Sequence, residues 1–433
     1  MNTARKRMVV TVVALAAASM LALSGCSAAA PKSTGPVTIS VWSRENAKVI
    51  AEQAKIFNSE QKKVIVKVTF IPDAQLLTKF ATAIRTGDAP DAVNFDIIDG
   101  PLLSTQKTLV DITSRFNALP DKASIVKAGV ETGQLAGKQY SLPVGVGSSA
   151  MFWNKELFKK AGLDPDKAPS TLDEVLADAK KIKALGNGIY GFTPCCGSAQ
   201  AYTGYPSIWA AGGDVMSKLG PNQKVKFDTP EAKKVLEWYR DAWNSGVIQP
   251  TDAPNADPGG LSLQNWSTGK VGIIFAGSWA ISNPDAKKLD WGFAPGIPGF
   301  TAGKYSGFVG GQNAGISATS KNVDASWTFL KWLVTSRSAA KYIVDSGNGV
   351  PPDLALAREL AAGNALALSD LGAVQVGHAP ASIAYSAVVN DANGPWAKSS
   401  QAVIFNGANV DVELKKAQDE GDKLIADAYA QLK

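Results

Sequence analysis

Apolar and polar positions alternate along Val37–Trp42 (VTISVW), a β-branched run of period two that predicts a first strand. The period then changes. Ala47, Ile50, Ala54 and Phe57 recur at three- and four-residue spacing, which predicts an amphipathic helix. Val64–Phe70 (VIVKVTF) alternates again as a second strand. Leu76, Leu77, Phe80 and Ile84 then share one face of a helix over 74–86 that stops at Gly87. Ala92–Phe95 predicts a third short strand, ending in Asp96. Strands taken in turn with helices predict βαβ units and a mainly parallel sheet.

Farther along, Thr171 and Glu174 have capping-box spacing, ahead of a helix carrying Val175, Leu176, Ala179, Ile182 and Leu185 and closed by Gly186. Thr229-Pro230 opens another, with the apolar face Ala232, Val235, Leu236, Tyr239 and Trp243. Val323–Val334 is so rich in Trp, Phe and Leu that it predicts a helix buried on most sides. Val410–Leu432 predicts a terminal helix interrupted by Gly421. No internal repeat is present, and no long linker marks a boundary.

Ahead of the first strand, Arg5, Lys6 and Arg7 precede an apolar and small-residue run from Met8 to Leu23. A basic start followed by such a run is a secretory signal. It ends in Leu23-Ser24-Gly25-Cys26, which resembles the lipobox of bacterial lipoproteins. That resemblance implies a diacylated thiol at Cys26 and removal of the peptide before it. An ordinary signal peptide with an incidental cysteine is the alternative. Ser27–Pro36 (SAAAPKSTGP) reads as a flexible tether. The expected location is extracytoplasmic, lipid-anchored to the cell membrane.

Removing the first 25 of 433 residues leaves 408, too many for one core and enough for two lobes. It also lowers the net charge from +6 to +3, since the segment holds three basic and no acidic residues. That imbalance is too weak to imply nucleic acid. With Cys26 lipidated, only Cys195 and Cys196 remain, adjacent and in an oxidising compartment. Either they close a vicinal disulfide with a flat sulfur face, or they are two buried thiols. A single His argues against metal chemistry and a His-based triad, and no cofactor is expected. Eleven Trp argue for flat recognition faces as well as core.

Residues 135–164, LAGKQYSLPVGVGSSAMFWNKELFKKAGLD, resemble the signature region of the extracellular solute-binding proteins of family 1, the maltose-type group that feeds ABC importers. Trp153 stands where that family usually has Tyr. Further matches follow in order: GDAPDAV at 87–93, GKVGIIFAGSWA at 269–280, GFVGGQNAGIS at 307–317 ahead of DASWTFLKWL, and GPWAK at 394–398. The resemblance spans about residues 37–430. It implies an α/β fold of the two-lobed, type II periplasmic-binding-protein kind, with the ligand in a cleft between lobes. The implied lobes are 37–145 with 314–349, and 146–313 with 350–433. Crossovers fall near Pro143–Gly147, Gly310–Gly315 and Asn348–Pro352, rich in Gly and Pro, where a few residues absorb backbone rotation.

A sugar has hydroxyls around its rim and C–H patches on its faces, so its site needs hydrogen-bonding groups and aromatic planes. Ligands in open α/β sheets bind at strand ends. Trp42, Ser43, Arg44 and Glu45 end the first strand, although Trp42 also reads as core. Asn94 and Asp96 flank the end of the third, where Asp96 is alternatively a turn acid. Gly310, Gly311 and Gln312 mark ligand approach, or the glycines an ordinary β-bulge. By family position Trp279 (GSWA) stacks on ligand, Trp396 (GPWAK) does similarly, and Tyr202 follows a cysteine pair that joins the platform. Tyr205 and Trp209 lie in the same region. Trp327 and Trp332 are at core spacing, and His378 reads as a solvated loop residue.

The expected protein is therefore a monomeric binder that captures a di- or oligosaccharide by domain closure and delivers it to an ABC importer permease. The alternatives are an exported glycoside hydrolase, or a binder of another polyol or a glycerol phosphate, for which Arg44 keeps a phosphate option open. A hydrolase needs two flanking carboxylates, and no local motif marks a pair. GxSxG, HExxH and P-loop motifs are absent.

Overall fold

The computed structural model describes residues 35–44, 48–194, 201–252, 260–282, 285–391 and 393–432. The signal and lipobox, Glu45, Ala47, Cys195 and Cys196 lie outside the described residues. Seven strands form the main path of the sheet: β1 Val37–Arg44, β2 Val64–Ile71, β3 Ala92–Asp96, β4 Ser141–Asn154, β5 Tyr190–Thr193, β6 Val271–Gly277 and β7 Tyr305–Ile316. Their spatial order is β2-β1-β3-β7-β4-β6-β5.

The pairs at both ends, β1 with β2 and β3, and β5 with β6, are parallel. The inner pairs, β3–β7, β7–β4 and β4–β6, are antiparallel. The sheet is therefore mixed where the sequence predicts mainly parallel. The reason is the length of β4 and β7: each crosses the whole middle of the molecule. Leu142 and Val144 of β4 pack in a core with Ile39, Val41, Phe57 and Phe329. Val146, Met151 and Trp153 of the same strand pack with Phe192, Tyr239 and Phe275. β7 divides likewise, Ala314 and Ile316 to the first core and Phe308 and Val309 to the second. Gly145–Ser148 pairs with Val309–Gln312 between the cores, and Val146 makes a further bridge to Val350. The register shift falls between Gln312 and Asn313, not at the Gly310-Gly311 pair. Gly311 (φ 127°) is needed for close approach, since a Cβ there would lie 2.4 Å from the Gly145 carbonyl oxygen.

Local chemistry fixes the helices. The helix Asp73–Thr86 ends at Gly87 in the left-handed conformation. Thr171 caps Leu172–Lys183 by accepting from the Glu174 amide. The Glu174 carboxylate, however, accepts from Ser170 (amide at 2.6 Å, hydroxyl at 2.8 Å) instead of closing a reciprocal box on Thr171. Thr229 caps Pro230–Asn244, whose Ala232, Val235, Leu236 and Tyr239 are buried. The helix Val323–Thr335 keeps an exposed stripe of Asp324, Thr328 and Lys331, so it is buried on one side only. Val410–Ala430 runs unbroken through Gly421, where a Cβ would come 3.0 Å from Val225. That glycine is a packing contact, not an interruption. No described helix is long and apolar enough to cross a membrane.

Candidate ligand cleft

One wall of the cleft grows from the C-terminal ends of parallel strands. β1 ends in Arg44, β3 ends in Asp96, and the helix after β2 begins with Asp73. The parallel register brings these ends together, and Arg44 pairs with both acids, Asp73 at 3.1 Å and Asp96 in direct contact. Burial alone lowers the Arg44 pKa, but the charges of Asp96 and Asp73 outweigh it and leave the guanidinium raised. Asp96 also accepts from the Ile98 amide at 3.3 Å, capping the turn Ile97–Asp99. It is both a turn acid and an ion-pair partner. Asp99, on that turn, has its carboxyl pushed up to about 7, by burial first and then by the charge of Asp96.

These residues line a cavity of about 310 Å³, together with Leu77, Ile98 and, from far along the chain, Ser386 and Asn390. Ser386 and Asn390 bound a π-helical turn. Tyr385, just before it, is 2% exposed, and its phenol is raised well above its ordinary range by burial and then by the Asp96 charge. The two sides thus sense each other electrostatically.

A separate aromatic group, outside the lining of that cavity, lies at the end of β6. Trp279 follows β6 and is 39% exposed, among the few large apolar groups left open. Its indole N–H donates to the Tyr202 hydroxyl, whose pKa burial raises. Tyr202 packs 5.6 Å from Phe308 and lies beside Gly310, where a Cβ would meet its ring at 3.6 Å. Gly277 has no alternative: a Cβ there would sit 2.3 Å from the Trp279 indole nitrogen and 2.6 Å from the Tyr202 hydroxyl. His378 is exposed, on a two-residue strand, with its ring 5.1 Å from Trp209 and its Nδ1 3.1 Å from the Ser306 hydroxyl.

Arg44 and Asp96 line the cavity, Gln312 is paired in register with Asp96, and Tyr202 contacts Trp279. Other sequence candidates lie elsewhere. Ser43 and Asn94 are fully buried: the Ser43 hydroxyl donates to Asn94 at 3.0 Å, and Asn94 donates to the Asn313 carbonyl at 3.2 Å. They brace β1, β3 and β7 from inside. Trp42 is half-buried against Ile71, Leu76 and Phe80. Trp396 is 1% exposed, 4.8 Å from Tyr205 and 5.0 Å from Phe227, and so sits in the core rather than on a cleft wall. Sequence reasoning missed Asp73, Asp99, Ser386 and Asn390. For the first two a signal existed, because each is an acid just past a strand end.

Residues 43–340 match the bacterial extracellular solute-binding protein family. The chain belongs to that family. As a solute-binding protein it acts outside the cytoplasm, in a family of binders rather than enzymes. It is 25% identical over 397 residues to the diacetylchitobiose binding protein DasA of Streptomyces coelicolor, covering 90% of each chain. It is 27% identical over 355 residues to the maltodextrin-binding protein MdxE of Bacillus subtilis, covering 79% of this chain and 80% of that one. The crystal structure of the cyclic α-maltosyl-1,6-maltose binding protein from Arthrobacter globiformis superposes with a TM-score of 0.75 at 24% identity, over 91% of this solute-binding protein and 100% of that chain. That likeness carries the two-lobed α/β fold.

Proposed function

We propose that this solute-binding protein captures an uncharged carbohydrate, a di- or oligosaccharide, and hands it unchanged to an ABC-type importer. The observation that carries this reading is the cavity itself: carboxylates and a guanidinium on one side, Ser386 and Asn390 on the other, and an open indole nearby. Carboxylates accept from sugar hydroxyls, and an indole face takes the C–H patches of the ring. The relatives named for diacetylchitobiose and maltodextrin support a saccharide. A phosphate ligand fits poorly, because Arg44 is already held between Asp73 and Asp96 and Asp99 adds a third acid.

Closure would rotate residues 37–145 with 314–349 against 146–313 with 350–433, and the solute favours the closed form by touching both. Cys26 would carry the lipid that tethers a monomer to the membrane. The Cys195-Cys196 pair, as a disulfide, would extend the aromatic wall beside Tyr202. Intact mass with and without reductant tests that bond, and the absence of a two-hydrogen difference rules it out.

The ligand is tested by a thermal-shift panel of maltose, maltotriose, N,N′-diacetylchitobiose and glycerol 3-phosphate, with chromatography of each mixture for products. A saccharide is expected to raise the melting temperature through ligand linkage and to be recovered intact. Stabilisation by glycerol 3-phosphate alone refutes the reading, and cleavage of a saccharide replaces it with a hydrolase.

A further inference from the structure

Glycine inside a strand weakens it, since it packs nothing and has the most backbone freedom to lose. Where β4 and β7 pair between the two cores, Gly147 stands opposite Gly310, with Gly311 next to it. Gly311 is required by the chain itself: its φ is 127°, and a Cβ there would lie 2.4 Å from the Gly145 carbonyl oxygen. The facing pair is different. Neither Gly147 nor Gly310 has a positive φ, so both take backbone conformations open to any residue. Among the described residues, a Cβ on Gly147 would meet nothing within 4 Å, and one on Gly310 only the Tyr202 ring at 3.6 Å, an ordinary contact. Both are half-buried, and neither is sealed in the interior. Neither the packing of the described residues nor backbone geometry calls for glycine at these two positions.

Their place on the sheet gives a reason. Alternate residues of a strand share a face. Two residues on from Gly310, Gln312 is in register with Asp96 of the charged group. Two residues back, Phe308 packs 5.6 Å from Tyr202. Two residues on from Gly147, Ser149 is in register with Gly277, the glycine that the Trp279 indole and the Tyr202 hydroxyl crowd. The bare pair therefore lies along the strands between the acids and the indole. We propose that Gly147 and Gly310 are specificity-determining residues of the cleft. They leave a patch of sheet free of side chains, on which a sugar ring of the solute lies flat between the charged group and Trp279. The inference rests on the carbohydrate reading and deepens it. Such a patch has no side-chain donor or acceptor, so it suits the C–H face of a pyranose, with the hydroxyl rim left to the groups on either side. A side chain at either position would stand where the ring must lie.

The test uses the full-length protein and a size series, Gly147→Ala, Gly147→Val and Gly147→Leu, with Gly311→Ala beside it. Melting temperatures without ligand come first. Gly147→Ala should melt at or above wild type, because alanine has fewer unfolded conformations to lose and its methyl meets open space. Gly311→Ala should melt well below. Maltotriose and N,N′-diacetylchitobiose are then titrated by calorimetry. The saccharide that wild type binds should bind Gly147→Ala about tenfold more weakly, the scale of one methyl forced into filled space, and weaken further through Val to Leu. A Gly147→Ala protein that melts well below wild type makes the glycine a requirement of the fold and overturns the inference. Wild-type affinity in Gly147→Ala overturns it too. An equal loss in all three variants, whatever their size, assigns the glycine to backbone freedom at a crossover and also overturns it. Those three results leave the carbohydrate reading standing. If wild type binds neither saccharide, that reading fails first and the inference falls with it.

Discussion

The charged and the aromatic groups that we propose as the two walls of the cleft are made by different means. On one side, charge is concentrated at the ends of three parallel strands, where Arg44, Asp73 and Asp96 hold one another and Asp99 is pressed toward neutrality. On the other side, an exposed indole lies beside Tyr202, and Gly277 leaves no room for a Cβ between them. The first wall can match hydroxyls because its acceptors are held apart by ion pairs. The second can match a ring face because its indole is left open beside Tyr202. Polyhydroxylated rings need both.

The contrast breaks most visibly at the two tryptophans that follow glycine-containing turns. Trp396→Ala removes a core ring packed on Tyr205 and Phe227, and a loss of about 3–5 kcal/mol is expected. Denaturant unfolding would measure it, and any surviving folded protein should bind sugar with little change. Arg44→Met strips the counter-charge from three acids in a mostly buried setting. A stability loss of about 2 kcal/mol is expected, toward the lower end for a truncated buried ion pair because the guanidinium is about one-fifth exposed. It should also abolish the thermal shift given by sugar. Trp279→Ala should leave the unliganded melting temperature unchanged and weaken sugar binding about tenfold, or about 1.4 kcal/mol, by calorimetry. If Trp279→Ala unfolds the protein while Trp396→Ala spares it, the assignment of the two rings is reversed.

The smallest effect is in pH. Asp99 and Asp370 both have folded carboxyls raised from 3.8 to about 7. Between those values the folded state holds more protons than the unfolded chain, so stability falls as pH rises through this window and levels off above 7. Denaturant midpoints at pH 5 and pH 8 should show the decline, and Asp99→Asn with Asp370→Asn should flatten it.

Much of the first wall was legible in the sequence. A period-two run over Val37–Trp42, followed by Ser43 and Arg44, and a short strand ending in Asp96 place both residues at strand ends. Parallel pairing then makes them neighbours. Asp73 and Asp99 were hidden because each also reads as the opening of a helix or turn, a role Asp73 does fill. The rest was less legible. Ser386 and Asn390 lie far along the chain from the residues they meet in the cavity, and only tertiary packing brings them there. Trp279 and Trp396 look alike in sequence. They differ because Trp396 falls on the inner face of Pro395–Asn406, whereas Trp279 begins a short turn at the mouth of β6. Gly421 misled for a related reason: a glycine in a helical pattern signals either a break or a close neighbour, and the neighbour is Val225, almost 200 residues away in sequence.

The most direct test of the account is calorimetric titration of the most stabilising saccharide into wild-type protein and into two variants, Asp99→Asn on the charged wall and Trp279→Ala on the aromatic one. Each variant is expected to bind more weakly than wild type, since the solute touches both walls at once. Wild-type affinity in either variant would place the solute against one wall alone or outside the cleft, and would contradict the account.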